Sequence, residues 1–243
     1  MTQLPPPTDH IELELFQTKP HECGYLADRD AATLFVNPDT QMDMSRFEFL
    51  LAIGYRRSGN IVYRPRCDGC NACIPVRVPV EGFRASRSLR RIRDRNQDLT
   101  IHPEEPVFNE ERFDLYLRYL AGRHAQGPMT NSSPEDFQDF LLSDWCRTSF
   151  VDFRLQGRLV MTAVIDRLEH SLSAVYTFFD PQERERGLGT FAVLWEIAEA
   201  RALGMHWLYL GYWIAESHKM SYKARFQPLE AYRQRQWLPW TAR

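Results

Sequence analysis

The chain has 243 residues, 44% of them hydrophobic and 26% charged, with a formal net charge of −2. That length and balance suit one large folded domain or two small ones. No apolar run reaches the roughly 18 residues that a membrane-spanning helix needs, and the polar start with Pro5, Pro6 and Pro7 lacks the basic opening and apolar stretch of a secretory signal. A cytoplasmic location with no membrane partner is expected. In such a reducing setting the five cysteines, Cys23, Cys67, Cys70, Cys73 and Cys146, are not read as a disulfide framework.

In chain order, residues 1–20 read as an extended entry, 31–36 as a short strand, and 42–54 as a helix with Met42, Phe47, Phe49, Leu50 and Ile53 on its apolar face. Strands are expected at 61–63 and 74–80, bracketing the cysteine cluster, and 87–96 is a polar, Arg-rich segment. Residues 96–108, with Pro103 and Pro106, are expected to separate a smaller N-terminal cysteine-containing module (1–100) from a larger domain (101–243). Helices follow at 109–122 and 134–143, the latter with Ser133 as N-cap and Pro134 at its first position. Three strand-like runs, 149–155, 158–165 and 171–179, come next, the first two joined by a Gln156-Gly157 turn. A helix over 188–203 ends at Gly204, and 207–210 is a further strand. The class implied is α+β.

The charge is unevenly spread. Between Arg56 and Arg95 lie 11 Lys/Arg and 3 Asp/Glu, a net of +8, which leaves 19 and 29, a net of −10, for the rest. One charge run reads as a solvated helix face. An excess over several elements points instead to a polyanionic partner. At residues 184–190, between a strand and a strong amphipathic helix, Arg184, Gly187 and Gly189 offer backbone N–H groups and a positive helix end to a phosphate-bearing ligand. The bland alternative is an ordinary glycine turn before a helix. The Arg-x-x-Gly-x-Gly form and its β-rich lead-in resemble the pyrophosphate loop of the acyl-CoA N-acyltransferase (GNAT) fold, which implies acyl transfer to nitrogen.

A longer resemblance runs from about Cys23 to Leu229. It is carried by Cys23-Gly24-Tyr25-Leu26, Tyr55-Arg56-Arg57-Ser58-Gly59-Asn60, Val62-Tyr63-Arg64-Pro65, and Cys67-x-x-Cys70-x-x-Cys73. Further along, it continues through Tyr176-Thr177-Phe178-Phe179-Asp180-Pro181, Gly187-Leu188-Gly189, Leu208-Tyr209-Leu210-Gly211-Tyr212-Trp213-Ile214 and the stretch from Lys219 to Pro228. Together these resemble the arginyl-tRNA–protein transferase family, and within it the short bacterial branch that transfers leucine to N-terminal Asp or Glu. The resemblance implies charged tRNA as donor, proteins with N-terminal Asp or Glu as acceptors, and a place in N-end rule degradation. Arginine as the transferred residue, or coenzyme A-dependent N-acetyl transfer, are the alternatives.

For that chemistry no cofactor is required, because the ester is already activated and an α-amine with a pKa of about 7.7–8.0 is partly neutral at cellular pH. Asp180, at the end of the third strand, is the candidate to orient or deprotonate the amine; the alternative is an Asp-Pro turn former. Lys219, Lys223 and Arg225, with Tyr212 and Tyr222 as walls, are candidates to hold an acidic N-terminal side chain, against the alternative of a solvated helix. Arg56, Arg57, Arg64, Arg87, Arg90 and Arg91 are candidates for tRNA phosphates. Cys67, Cys70 and Cys73, with Cys23 as a fourth, have spacing suited to zinc or an iron–sulfur cluster; the alternative is reduced, buried thiols.

Overall fold

The structure, a computed structural model, describes residues 12–123 and 132–240. Its elements are β1 (Leu15–Gln17), β2 (His21–Glu22), β3 (Asp30–Ala31), β4 (Thr33–Val36), α1 (Met44–Ala52), β5 (Arg56–Ser58), β6 (Ile61–Pro65), β7 (Ile74–Pro79), α2 (Arg87–Arg95) and β8 (Leu99–Glu104). They continue as α3 (Glu110–Arg123), α4 (Pro134–Leu141), β9 (Thr148–Leu155), β10 (Arg158–Arg167), β11 (Ser171–Phe179), α5 (Leu188–Ala202), β12 (Trp207–Trp213), α6 (His218–Ser221), β13 (Glu230–Arg233) and β14 (Gln236–Pro239). Among the described residues, two 3-10 turns add to these: Pro181–Arg186 precedes α5 and Tyr222–Arg225 follows α6. No helix among the described residues is long and apolar enough to cross a membrane.

The centre is an eight-stranded mixed sheet in the order β14-β13-β7-β12-β11-β10-β9-β8. Period-two alternation sorts its side chains onto two faces. Val151, Phe153, Ala163, Ile165, Leu208 and Leu210 pack with α5 and Leu89 of α2 on one face. Phe150, Val164 and Phe178 meet Leu115, Tyr116 and Phe137 of α3 and α4 on the other. Trp207 and Tyr209 meet α1 and strands β4 and β6 of a smaller four-stranded sheet, β1-β4-β6-β5. Ser133 caps α4 as expected, in a capping box with Asp136 ahead of Pro134. α1 starts at Met44, inside the expected 42–54 range, with Asp43 as its N-cap. Gln156 and Gly157 take positive φ in the hairpin turn.

Other segments differ from expectation. Residues 87–95 form a helix, α2, capped by Ser86, although only Leu89 of its residues is buried. Residues 99–104, expected as a separator, form an edge strand paired with β9 over six residues. β7, from the cysteine-bearing part, lies inside the large sheet between β12 and β13. The two parts of the chain therefore share one sheet. Pro103 is tolerated because it lies on an edge strand.

Candidate active site and nucleic-acid interface

The feature that opens the large sheet is the parallel pair β11 and β12. They share only three register pairs, Ser171–Trp207, Leu172–Leu208 and Ser173–Tyr209, although β11 runs on to Phe179 and β12 to Trp213. Just past the last shared pair, register shifts interrupt both outer ladders, between Val164 and Ile165 on β10 and between Tyr209 and Gly211 on β12. Bulges bend strands, and here two of them turn neighbouring strands apart into a fork.

A fork leaves backbone groups without ladder partners, and buried backbone groups must be satisfied. Two cations do this. Arg56, buried, donates to Ser173 Oγ at 3.0 Å and to the Ala174 carbonyl on the β11 side. Lys223, also buried, donates from Nζ to the Tyr212 carbonyl at 2.6 Å on the β12 side. Burial lowers the pKa of both cations, and Arg56 adds to the effect on Lys223, whose ammonium is brought down to about 7. Tyr212 closes one wall by donating its hydroxyl to the Gly54 carbonyl at 3.0 Å; burial holds its phenol well above the usual range. Gly211 (φ +78°) leaves room for the guanidinium, since a Cβ there would sit 3.3 Å from Arg56 Nε. Gly211→Ala is expected to dislodge Arg56 and, because an L side chain at this φ is strained, to lower the melting midpoint in thermal denaturation.

The structure sets the arginines of α2 near the start of α5. Arg87, Arg90, Arg91, Arg93 and Arg95 are all exposed on α2. α2 docks against α5, with Ile92 3.6 Å from a Cβ placed on Gly187 and Asn96 Nδ2 donating to the Arg186 carbonyl at 3.0 Å. Gly187 (φ +69°) starts α5 with no side-chain cap, Gly189 lies close against the Phe179 ring, and Arg184 is exposed beside them. Arg225 reaches the first turn of α5 through Thr190 Oγ1 at 3.5 Å, so one 3-10 turn supplies Arg225 to the helix end and Lys223 to the fork. Lys219 is exposed and Tyr222 packs on Phe226.

Three expectations are corrected. Arg57 is no phosphate contact. Its side chain is 1% exposed and is committed to Asp166 through Nε at 2.7 Å and Nη2 at 2.6 Å, to Thr148 Oγ1 and to two backbone carbonyls. Arg56 is likewise inside, at the fork. Arg64, half-buried over the Tyr55 ring at 4.9 Å and lining the cavity beside the cysteines, stays a candidate. Asp180 is not at the fork. It caps the 3-10 turn by accepting from the Gln182 N–H and pairs with Arg158 at 2.7 Å, while its own N–H is bonded to Val160. This is the turn-former alternative, and the strand sequence alone does not separate the two roles.

The cysteines gather beside this site. Cys67 and Cys70 are antiparallel bridge partners. Burial, then Cys67, Cys23 and Cys70, pushes the Cys73 thiol up to about 12. Cys67, Cys70 and Cys73 line a cavity of about 620 Å³ with Arg64, Tyr212 and Tyr232. Cys23, Cys67 and Cys70 all lie near enough to Cys73 to raise its thiol, while among the described residues no group of three His, Cys, Asp or Glu is placed as an ion site. Cys146 stands apart near Asp166 and Arg57, its thiol raised by burial.

The site therefore joins a parallel pair split open over buried cations to a crossover helix whose first turn lies against an arginine-rich helix. A family profile described as "Arginine-tRNA-protein transferase, N terminus" matches residues 21–91, and its C-terminus counterpart matches residues 111–233. The aspartate/glutamate leucyltransferase of Nitrosococcus oceani is 48% identical over 95% of this chain and 97% of its own length. The proteins of that name from Pseudomonas fluorescens (strain Pf0-1) and Pseudomonas paraeruginosa are 47% and 46% identical, over 95% and 96% of this chain and 98% and 100% of theirs. A solved C-terminal domain of a putative lysylphosphatidylglycerol synthetase from Agrobacterium fabrum aligns at 13% identity and TM-score 0.46, over 80% of this chain and 71% of that one. The chain belongs to the arginine-tRNA-protein transferase family.

Proposed function

We propose that this protein is an aspartate/glutamate leucyltransferase of the cytoplasm, moving leucine from Leu-tRNA to the α-amine of proteins that begin with Asp or Glu and so marking them for N-end rule degradation. The observation that carries this reading is the near-full-length identity of 46–48% to relatives of that name. The geometry supplies a physical account. The split strands with a helix between them resemble a GNAT-like acyltransferase core. In such a core the ester enters at the helix end and the amine from the other side of the fork. Arg56 and Lys223 provide buried positive charge for the acceptor's carboxylate, with Tyr212 beside them. A buried charge-assisted hydrogen bond recognises a carboxylate strongly because the unpaired alternative is costly.

In the reaction, the neutral amine attacks the ester carbonyl, the bond from that carbon to the ribose oxygen breaks, and the proton lost by nitrogen ends on the ribose hydroxyl. The ester's own energy drives the exchange. The protein's part is to hold the two reactants in attack geometry and to stabilise the developing oxyanion. A zinc ion or iron–sulfur cluster, if bound, would be held by Cys23, Cys67, Cys70 and Cys73, and no step here depends on one.

The tRNA is held by Arg87, Arg90 and Arg91 of α2 together with the Arg184–Gly187–Gly189 turn. Each exposed arginine replaced by glutamine, Arg87→Gln or Arg91→Gln, is expected to reduce the slope of log affinity against log salt by about 0.7–0.9 for every phosphate it no longer neutralises. Filter binding of tRNA between low and moderate salt reads this directly. The test of the function is incubation with Leu-tRNA or Arg-tRNA and a peptide beginning with Asp, followed by mass spectrometry. A leucine-sized gain supports the reading. An arginine-sized gain keeps the chemistry and changes the donor. No gain with either turns attention to coenzyme A.

A further inference from the structure

One buried charge at the fork has no part in the account so far. Glu196 lies midway along α5 on the side facing the sheet, and it is fully buried. Neither carboxylate oxygen has a hydrogen-bond partner. The other buried acids are engaged: Glu48 by Ser171 and two backbone N–H groups, Asp152 by Arg112 and Thr162, Asp166 by Arg57 and Thr148, and Asp180 by Arg158. An orphaned buried carboxylate calls for an explanation, because leaving it unpaired is costly.

Its position supplies one. α5 packs on β11 and β12, the strands that part, and Arg56, which sits at the vertex of the fork on Ser173 and Ala174, is the charged group whose field Glu196 feels. The two make no ion pair. We propose that Glu196 receives the α-ammonium of the aminoacyl group on the donor, so that the fork admits aminoacyl esters in preference to plain acyl esters.

This rests on the transferase reading above. The chemistry favours the donor's amine over the acceptor's. The acceptor amine must be neutral to attack, whereas the donor's amine takes no part in bond making and can remain an ammonium throughout. Arg56 and Lys223 would repel that ammonium if no carboxylate balanced them. Burial brings the Glu196 carboxyl up to about 8, with the Arg56 guanidinium opposing, and a neighbouring ammonium would favour its carboxylate form.

The test compares leucyl-tRNA with tRNA esterified by the 2-hydroxy analogue of leucine, in which a hydroxyl replaces the ammonium. Each is assayed with an Asp-starting peptide. The wild type is expected to prefer the leucyl donor by on the order of 100-fold in kcat/KM. Glu196→Gln should remove that preference by lowering the leucyl value while leaving the hydroxyacyl value nearly unchanged. A merely structural role would lower both together, and that result overturns the proposal, as does a Gln variant that keeps the preference. A second measurement needs no variant: inhibition of the wild type by 3′-leucylamido-adenosine should be much stronger than by its des-amino counterpart, and equal inhibition overturns the proposal. A wild type that leucylates but ignores the ammonium sinks this inference alone. A wild type that uses neither donor sinks the transferase reading and this inference with it.

Discussion

Lys223→Met is expected to lower kcat/KM for Asp- and Glu-starting peptides by on the order of 100-fold or more, chiefly through the acceptor's KM, because truncating one partner of a buried charged contact costs about 2–5 kcal/mol. The pH dependence gives a sharper test. With its ammonium brought down to about 7, Lys223 is charged below that pH and loses its charge as the pH rises through it. Carboxylate binding therefore weakens on the alkaline side. The acceptor amine works in the opposite sense: it must lose its proton, with a pKa of about 7.7–8.0, so attack weakens on the acid side. The product is a bell in kcat/KM with its maximum between about pH 7 and 8. In Lys223→Arg the cation cannot titrate in this range, so the alkaline limb should disappear and the acid limb remain. Peptide leucylation followed by mass spectrometry from pH 6 to 9 measures both limbs. An alkaline limb that survives in Lys223→Arg assigns the titration to another group.

Arg57→Ala should destabilise the fold by about 3–5 kcal/mol, since it strands Asp166, whose side chain is 0% exposed, without its guanidinium. Only the Thr148 hydroxyl and the Cys146 thiol would remain to donate to that carboxylate. Arg57 also ties β5 to β10 and to the end of α4, through Asp166 and the Leu141 carbonyl, so its loss uncouples the small sheet from the large one. Urea denaturation monitored by tryptophan fluorescence gives the loss. The salt dependence of tRNA binding in the surviving folded fraction should be unchanged, in contrast to Arg87→Gln. A reduced salt slope with native stability would return Arg57 to the nucleic-acid surface.

The sequence by itself determined whatever local patterning encodes. The core strands 148–155, 158–167 and 171–179 and helix α5 follow from period-two and helical hydrophobic spacing, and the cap at Ser133 follows from side-chain chemistry. The order of its short motifs also pointed to the family that the profiles match. α2 was harder to see because eight of its nine residues are not buried, so almost no apolar stripe marks it. Strands β5, β13 and β14 have three or four residues each, too short for a pattern to repeat.

Only the tertiary structure decided which charges are spent on the fold and which are left for ligands. Arg56, Arg57 and Arg64 stand within nine residues of one another in a basic block, yet one caps a fork, one is locked in a buried ion pair and one stacks on a tyrosine. Asp180 reads equally as a catalytic acid or a turn cap until Arg158, twenty-two residues away, is seen to hold it. Glu196 carried no sequence signal at all, being one polar position in an apolar helix. Its meaning comes from burial without a partner beside two strands that part. Burial and pairing depend on contacts between residues far apart in the chain, and no local spacing rule encodes them.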